Sequence, residues 1–220
     1  MTAENIIDDS IPNVMVNYTC NRVLSLMDTF KISHLPVIDG DTYVGLVSED
    51  EIYDREMFDD PIENLGVLKC PCVLESQHIF DVLAVMTSFA VPVVPVVSNE
   101  RKYVGAVSMQ NLINAISKTV NVESKGPIIV LEMGAHDYSM SQLAQIVESE
   151  NAKILSSYVT TFDDSSQIGV TLVLNRVEVS PIVKSLERHG YKVDTFFCEN
   201  SMIDDFYRSR YEFLMNYMKI

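Results

Sequence analysis

The chain has 220 residues, 47% of them hydrophobic, with 31 acids against 16 bases and a formal net charge of −15. That apolar fraction suits a packed core in one or two domains, and no run of about 18 or more apolar residues is available to span a membrane. No cluster of Lys and Arg is present to neutralise phosphates, which argues against DNA or RNA as a partner; the acidity concentrates in residues 1–66, which carry a balance of −11.

Residues 2–9 predict a short helix with Thr2 as its cap and Ile6 and Ile7 as its apolar contact. The acidic start, Met-Thr-Ala-Glu-Asn-Ile-Ile-Asp-Asp, lacks the basic-then-apolar layout of a secretory signal, so a cytoplasmic protein is expected. Pro12 blocks further helix, and Val14-Met15-Val16 reads as a short strand. Val23, Leu24, Met27 and Phe30 have the spacing of a helix face, with Thr19 or Asn21 as the cap. Leu35–Ile38 and Tyr43–Val47 are β-rich runs joined by the turn Asp39-Gly40-Asp41-Thr42. Ser48 with Glu51 three residues on reads as the capping box of a new helix that ends near Asp59-Asp60-Pro61.

This pattern then recurs. A shift of 59 places Val23, Leu24, Met27, Phe30, Pro36 and Val37 on Val82, Leu83, Met86, Phe89, Pro95 and Val96. A shift of 60 places Tyr43, Val44, Gly45, Val47 and Ser48 on Tyr103, Val104, Gly105, Val107 and Ser108. An internal repeat of helix, strand, strand, helix follows, and two copies packed together can bury what one cannot. The second copy is prepared by Ile62–Leu65 and Val67-Leu68, and its first helix runs over Ile79–Phe89. Val91–Val97 reads as a buried strand that Pro92 and Pro95 keep short or at an edge. Leu112, Ile113 and Ile116 mark the closing helix. The domain division expected is 1–66 for the first repeat and 67–121 for the second, with residues 122–127 as a linker.

From Ile128 the periodicity changes. Ile128–Met133 reads as a strand, Ser141–Glu150 as a helix, and Ala152–Phe162 and Gln167–Leu174 as strands around the turn at 163–166. Val179–His189 reads as a helix stopped by Gly190, and Tyr191–Phe197 as a final strand. The order β-α-β-β-α-β is the split βαβ arrangement, with two helices on one face of an antiparallel sheet. It defines a third domain over 127–198. Residues 199–220 predict a helical tail capped by Ser201, with five aromatics from Phe206 to Tyr217 that suit packing across a domain or subunit boundary. The fold class expected is therefore α/β in the broad sense, more strictly α+β.

Four cysteines, Cys20, Cys70, Cys72 and Cys198, fit no disulfide framework and are expected to stay reduced. Cys70-Pro71-Cys72 alone is a weak metal signal, and small half-buried residues at a strand start explain it as well; no metal site is expected. Arg101 and Lys102, in the turn of the second copy, read as solvated charges. The chain lacks G-x-S-x-G, P-loop, G-x-G-x-x-G and H-E-x-x-H motifs, and its histidines at 34, 78, 136 and 189 have no ligand spacing, so no enzyme is expected.

The succession of apolar helix, His-Leu-Pro-Val-Ile-Asp, Tyr-Val-Gly-Leu-Val-Ser and acidic helix start resembles the cystathionine β-synthase (CBS) domain, twice over, across roughly the first 120 residues. The resemblance implies a Bateman-type pair: a flat disc whose two clefts take AMP, ADP, ATP or S-adenosylmethionine as a regulatory ligand and not as a required cofactor, and which pairs into a homodimer. It places His34, Leu35, Pro36, Ser48 and Glu51 at one cleft and Val93, Val94, Pro95, Ser108 and Asn111 at the other. The serine would contact phosphate, and the residue three positions on would contact the ribose hydroxyls. That residue is usually Asp in the family; here it is Glu51, longer by a methylene, and Asn111, which accepts through one oxygen. Ser48 and Ser108 each open a predicted helix, where free N–H groups and the dipole suit an anion, yet the same residues serve equally as plain helix caps.

The third domain resembles the ACT domain, an amino-acid-sensing or dimerising module with ferredoxin-like topology, although its first loop, 134–141, has no glycine near the helix start. A CBS pair followed by an ACT-like domain is similar to the AcuB-type regulatory proteins named for acetoin utilisation. The function implied is a non-catalytic sensor of an adenine nucleotide that relays binding to a dimer interface or a protein partner. The alternative is a ligand-free dimerisation module with degenerate nucleotide sites.

Overall fold

The computed structural model describes residues 1–66, 69–121, 126–162, 166–176 and 178–198. It forms two compact units, Met1–Ile116 and Ser117–Ile220. The expected tail helix at 199–220, the pair Val67-Leu68, most of the linker (122–125) and the turn at 163–165 lie outside the described residues.

In the first unit each repeat builds a three-stranded sheet with two helices. β1 (Val14–Met15) runs parallel to β2 (His34–Asp39), which pairs antiparallel with β3 (Thr42–Ser48). β4 (Val73–Leu74), β5 (Val93–Val97) and β6 (Tyr103–Ser108) repeat the order. α1 (Cys20–Phe30) and α2 (Glu49–Arg55) belong to the first repeat, and α3 (Ile79–Phe89) and α4 (Met109–Thr119) to the second. Thr19 caps α1, accepting from the Arg22 amide. His78 caps α3: its ring accepts from the Phe80 amide while the Asp81 carboxylate accepts from the His78 amide. α1 and α3 both stop at a residue in the left-handed conformation, Lys31 and Ala90, which turns the chain into the following strand.

Both prolines of the β-runs fall where a sheet tolerates them. β4 reaches only Val96 and Val97, and β1 only Val37 and Ile38, so Pro95 and Pro36 lie beside a single neighbour and need no second ladder. β5 is short, as expected, but it is the middle strand of its sheet and not an edge.

Two sequence expectations change. The helix over 2–9 shrinks to a single 3-10 turn, Glu4–Ile6, because the flanking amides bond elsewhere: Ala3 donates to the Gln77 carbonyl and Asp8 to that of Ala106, each at 2.8 Å. α2 ends at Arg55, well before Asp59, because Glu56 turns left-handed and the carbonyls of Phe58 and Asp60 accept from the amides of Asn21 and Cys20 at the start of α1.

The repeats exchange side chains. Val93 and Ala106 of the second repeat pack in the cluster of Val23, Met27, Leu35, Val47 and Ile52. Leu46 of the first repeat joins Ala3 and Ile6 in the cluster of Val82, Met86, Val94, Val107 and Leu112. The hairpin turns also meet: Tyr43 N donates to Arg101 O at 3.2 Å, and Tyr103 N to Asp41 O at 2.8 Å. Arg101 and Lys102 thus carry a backbone tie between the repeats, and the Lys102 ammonium pairs with Glu100 at 3.0 Å.

The second unit is a four-stranded antiparallel sheet in the order β10-β7-β9-β8. Its strands are β7 (Ile128–Gly134), β8 (Ile154–Thr161), β9 (Gln167–Leu174) and β10 (Lys192–Phe197), and its helices α5 (Met140–Ser149) and α6 (Ser180–Arg188). Alternate residues Ile129, Leu131 and Met133 of β7 and Ile168, Val170, Leu172 and Leu174 of β9 face Leu143, Ile146, Val147, Ile182 and Leu186 of the helices. This is the split βαβ arrangement that the element order predicts.

Candidate functional site

The ten residues singled out from sequence divide into two sets by chemistry and burial. Leu35, Pro36, Val93, Val94 and Pro95 are buried, so their side chains serve the core and only their backbone is available to a ligand. His34, Ser48, Glu51, Ser108 and Asn111 are partly exposed polar groups at the ends of the paired strands.

At the first repeat, β2 and β3 set His34 opposite Ser48. The Ser48 hydroxyl accepts from the Glu51 amide and the Glu51 carboxylate from the Ser48 amide, each at 3.1 Å. This reciprocal box starts α2, and the Glu49 amide donates to Ser33 O at 2.9 Å, fixing the helix start to the strand entry. His34 is half-buried, with Nδ1 2.9 Å from Ser33 Oγ. Burial pushes its pKa below the ordinary 6.5; the carboxylates of Glu51 and Asp50 oppose this, and the charge of Lys69 adds to it.

Lys69 arrives on the segment that leads into the second repeat. Its carbonyl accepts from the Leu46 amide at 2.8 Å, two residues before Ser48. Further along, the buried Tyr43 hydroxyl donates to Pro71 O at 3.0 Å, and Cys70 Sγ lies 2.8 Å from Val44 O. Burial raises the Tyr43 pKa far above its ordinary value. Cys70 and Cys72 therefore line a strand-edge contact; Cys70 is exposed and Cys72 half-buried. Among the described residues no group of three or more His, Cys, Asp or Glu side chains could hold a metal ion.

At the second repeat, Val93 takes the place of His34 opposite Ser108. The Asn111 amide donates to Ser108 Oγ at 3.2 Å and opens α4, while the Met109 amide donates to Pro92 O at 3.0 Å. Here residues 6–8 lie against the strand-to-helix turn. Asn111 Nδ2 donates to the carbonyls of Ile6 and Ile7, both at 3.3 Å. A Cβ on Gly105 would stand 2.6 Å from Ile7 Cγ2, so only glycine admits this close approach. The Ser10 hydroxyl donates to the Asp8 carboxylate at 2.6 Å, and Ser10 with the nearby Ser108 holds the Asp8 pKa below its ordinary value.

Lys69 and Asp8 thus stand at matching places, each bonded through its backbone to the strand residue two before the helix-opening serine. Sequence reading missed both. Their separation is 61, whereas the helices repeat at 59 and the hairpins at 60, so neither alignment brings them together.

In the second unit, a cleft of about 520 Å³ lies along Glu132, His136–Ser139, Gln142 and His189–Lys192. Lys192 pairs with Glu132, and Tyr191 Oη donates to Gln142 Oε1 at 3.0 Å. At its edge the Asp137 carboxylate lies close over Gly134, where a Cβ would stand 2.7 Å from Oδ2.

Two interlocked strand–strand–helix repeats with paired strand-to-helix turns make up a tandem module. The CBS domain model matches residues 3–57 and 62–118, and the chain belongs to the CBS domain family. Among curated proteins it is 21% identical over 151 residues to inosine-5′-monophosphate dehydrogenase of Methanocaldococcus jannaschii; the match takes in 67% of this chain but spans only 30% of that enzyme's length. A CBS domain pair/ACT domain protein from Thermotoga maritima is similar in structure, with 24% identity and a TM-score of 0.50 over 54% of this chain and 98% of that one. An AcuB protein, assigned to acetoin utilization, from Vibrio cholerae has 16% identity and a TM-score of 0.50 over 57% of this chain and 96% of that one. At these identities the structural likeness is one of fold.

Proposed function

We propose that the protein is a non-catalytic cytoplasmic regulator in which an adenine nucleotide binds the first cleft, beside Ser48, Glu51 and His34, and biases the assembly of the chain with a second copy or a partner. The observation that carries this reading is the position of Lys69 two residues along from Ser48 in a CBS-family pair. It brings a cation to the strand-to-helix turn in the otherwise acidic first repeat. AMP, ADP, ATP and S-adenosylmethionine are the ligands to try. A ligand would shift the equilibrium between arrangements only by its differential affinity for them. Phe30, Tyr53, Phe80, Phe89, Met109 and Ile113, on or beside the four helices, are exposed and supply an apolar surface for homodimer formation. The split βαβ unit is read as an ACT-like dimerising or sensing domain.

A second reading, a ligand-free assembly module, is favoured by the capping box itself, since Ser48 and Glu51 already satisfy each other. Thermal unfolding with each adenosine compound, in wild type, Ser48→Ala and Glu51→Ala, separates the two. A midpoint that rises with ligand in wild type and not in the variants supports the sensor. A loss of about 1 kcal/mol in Ser48→Ala, with no ligand response in any protein, supports the cap alone.

A further inference from the structure

We infer that Asp8 is a built-in anion that closes the second cleft, so that the CBS pair takes its nucleotide phosphate in the first cleft alone. The inference rests on the nucleotide reading above and adds which cleft responds and which residues decide it.

The Asp8 carboxylate takes the phosphate's place at the second cleft, and two further contacts hold the segment that carries it. The Asp8 amide is fixed to Ala106 O at 2.8 Å, two residues before Ser108, and its carboxylate is near enough for the Ser108 hydroxyl to lower its pKa; α4 begins here, and a phosphate would find the free amides of the helix. Asn111 is held to this segment, its Nδ2 donating to Ile6 O and Ile7 O. Ile7 lies against Gly105 with no space for even a Cβ between them. A phosphate entering here would meet a carboxylate already held by Ser10, on a segment anchored through the core residues Ala3 and Ile6.

The first cleft has the opposite sign at the matching place. Lys69 is tied to Leu46 through its carbonyl where Asp8 is tied to Ala106 through its amide, and the charge of Lys69 is felt at His34. A carboxylate in place of an ammonium beside a phosphate changes attraction to repulsion. The two clefts of one pseudo-symmetric pair are thereby made unequal by one residue each.

Calorimetric titration of the full chain with AMP, ADP and magnesium-ATP tests this, using wild type, Asp8→Ala and Asp8→Thr. Circular dichroism verifies that each variant is folded, and the Thr variant keeps a small polar group should Ala unfold the segment. The expected result is about one equivalent bound per chain in wild type and about two in the variants, as the added site contributes its own binding. Two equivalents in wild type, or one in every folded protein, overturns the assignment of Asp8 while leaving the nucleotide reading intact. No binding by any of them overturns the nucleotide reading and this inference with it. Binding by the Asp8 variants alone supports Asp8 as the block and refutes the first cleft as the site.

Discussion

At the first repeat's helix start, Ser48 and Glu51 hold each other, His34 stands across the strand pair, and Lys69 passes alongside. At the second, Ser108 accepts from the Asn111 amide with the Asp8 carboxylate nearby, Val93 replaces the histidine, and Ile7 fills the approach over Gly105. Eleven positions of the first helix and hairpin are identical between the repeats, the helix-opening serine among them, while the polar groups around that serine differ. A duplicated fold keeps its helix faces and hairpins because packing punishes change at each of them. The mouths of the clefts are free to diverge, since an exposed or half-exposed polar residue adds little to stability.

The comparison predicts equal responses in the cores and unequal ones at the mouths. Ile52 and Leu112 occupy matching positions in α2 and α4, and each is almost fully buried. Ile52→Ala and Leu112→Ala should each cost about 2–5 kcal/mol in denaturant unfolding. Because each cluster contains side chains from both repeats, the first unit should still unfold in one transition; two separate transitions would show that the exchange of Val93, Ala106 and Leu46 carries little energy.

Gly105→Ala tests the closed cleft from inside. The added methyl meets Ile7, and the loss should be about 1–3 kcal/mol. Adding Ile7→Ala should return much of it, giving a coupling that a double-mutant cycle reads directly. Independent, additive losses would mean that the N-terminal segment does not press on this strand.

The smallest effect is at His34. Its folded pKa lies below the unfolded value near 6.5, so the unfolded chain binds the proton first. The contribution of neutral His34 is therefore fully present above about pH 6.5 and is lost as pH falls through its lower folded pKa. The His34 ring resonance should titrate below 6.5, and the thermal midpoint of wild type should fall more on acidification than that of His34→Gln. A ring that titrates at or above 6.5 would show that Glu51 and Asp50, and not burial, govern the site. Val93 gives the second repeat no counterpart.

Much of the fold was legible because its signals are local. The 3.6-residue spacing of Val23, Met27 and Phe30, the box at Ser48 and Glu51, and the alternation along Gln167–Leu174 each depend on neighbours a few residues away. Local patterns overreached where distant backbone groups competed: the carbonyls of Gln77 and Ala106 reduced the helix over 2–9 to one turn. They left β5 open between a short strand and an edge strand, because only the three-dimensional reach of β4 shows which part of the strand lacks a second neighbour.

The sequence by itself determined the duplication, the element order of both units and the identity of the polar groups at each helix-opening turn. Periodicity and turn chemistry act over distances shorter than one element. Tertiary structure alone decided that Lys69 passes one turn and Asp8 the other. That pairing joins residues about a hundred positions from Ala106 in one case and 23 from Leu46 in the other, through backbone hydrogen bonds that no side-chain pattern records.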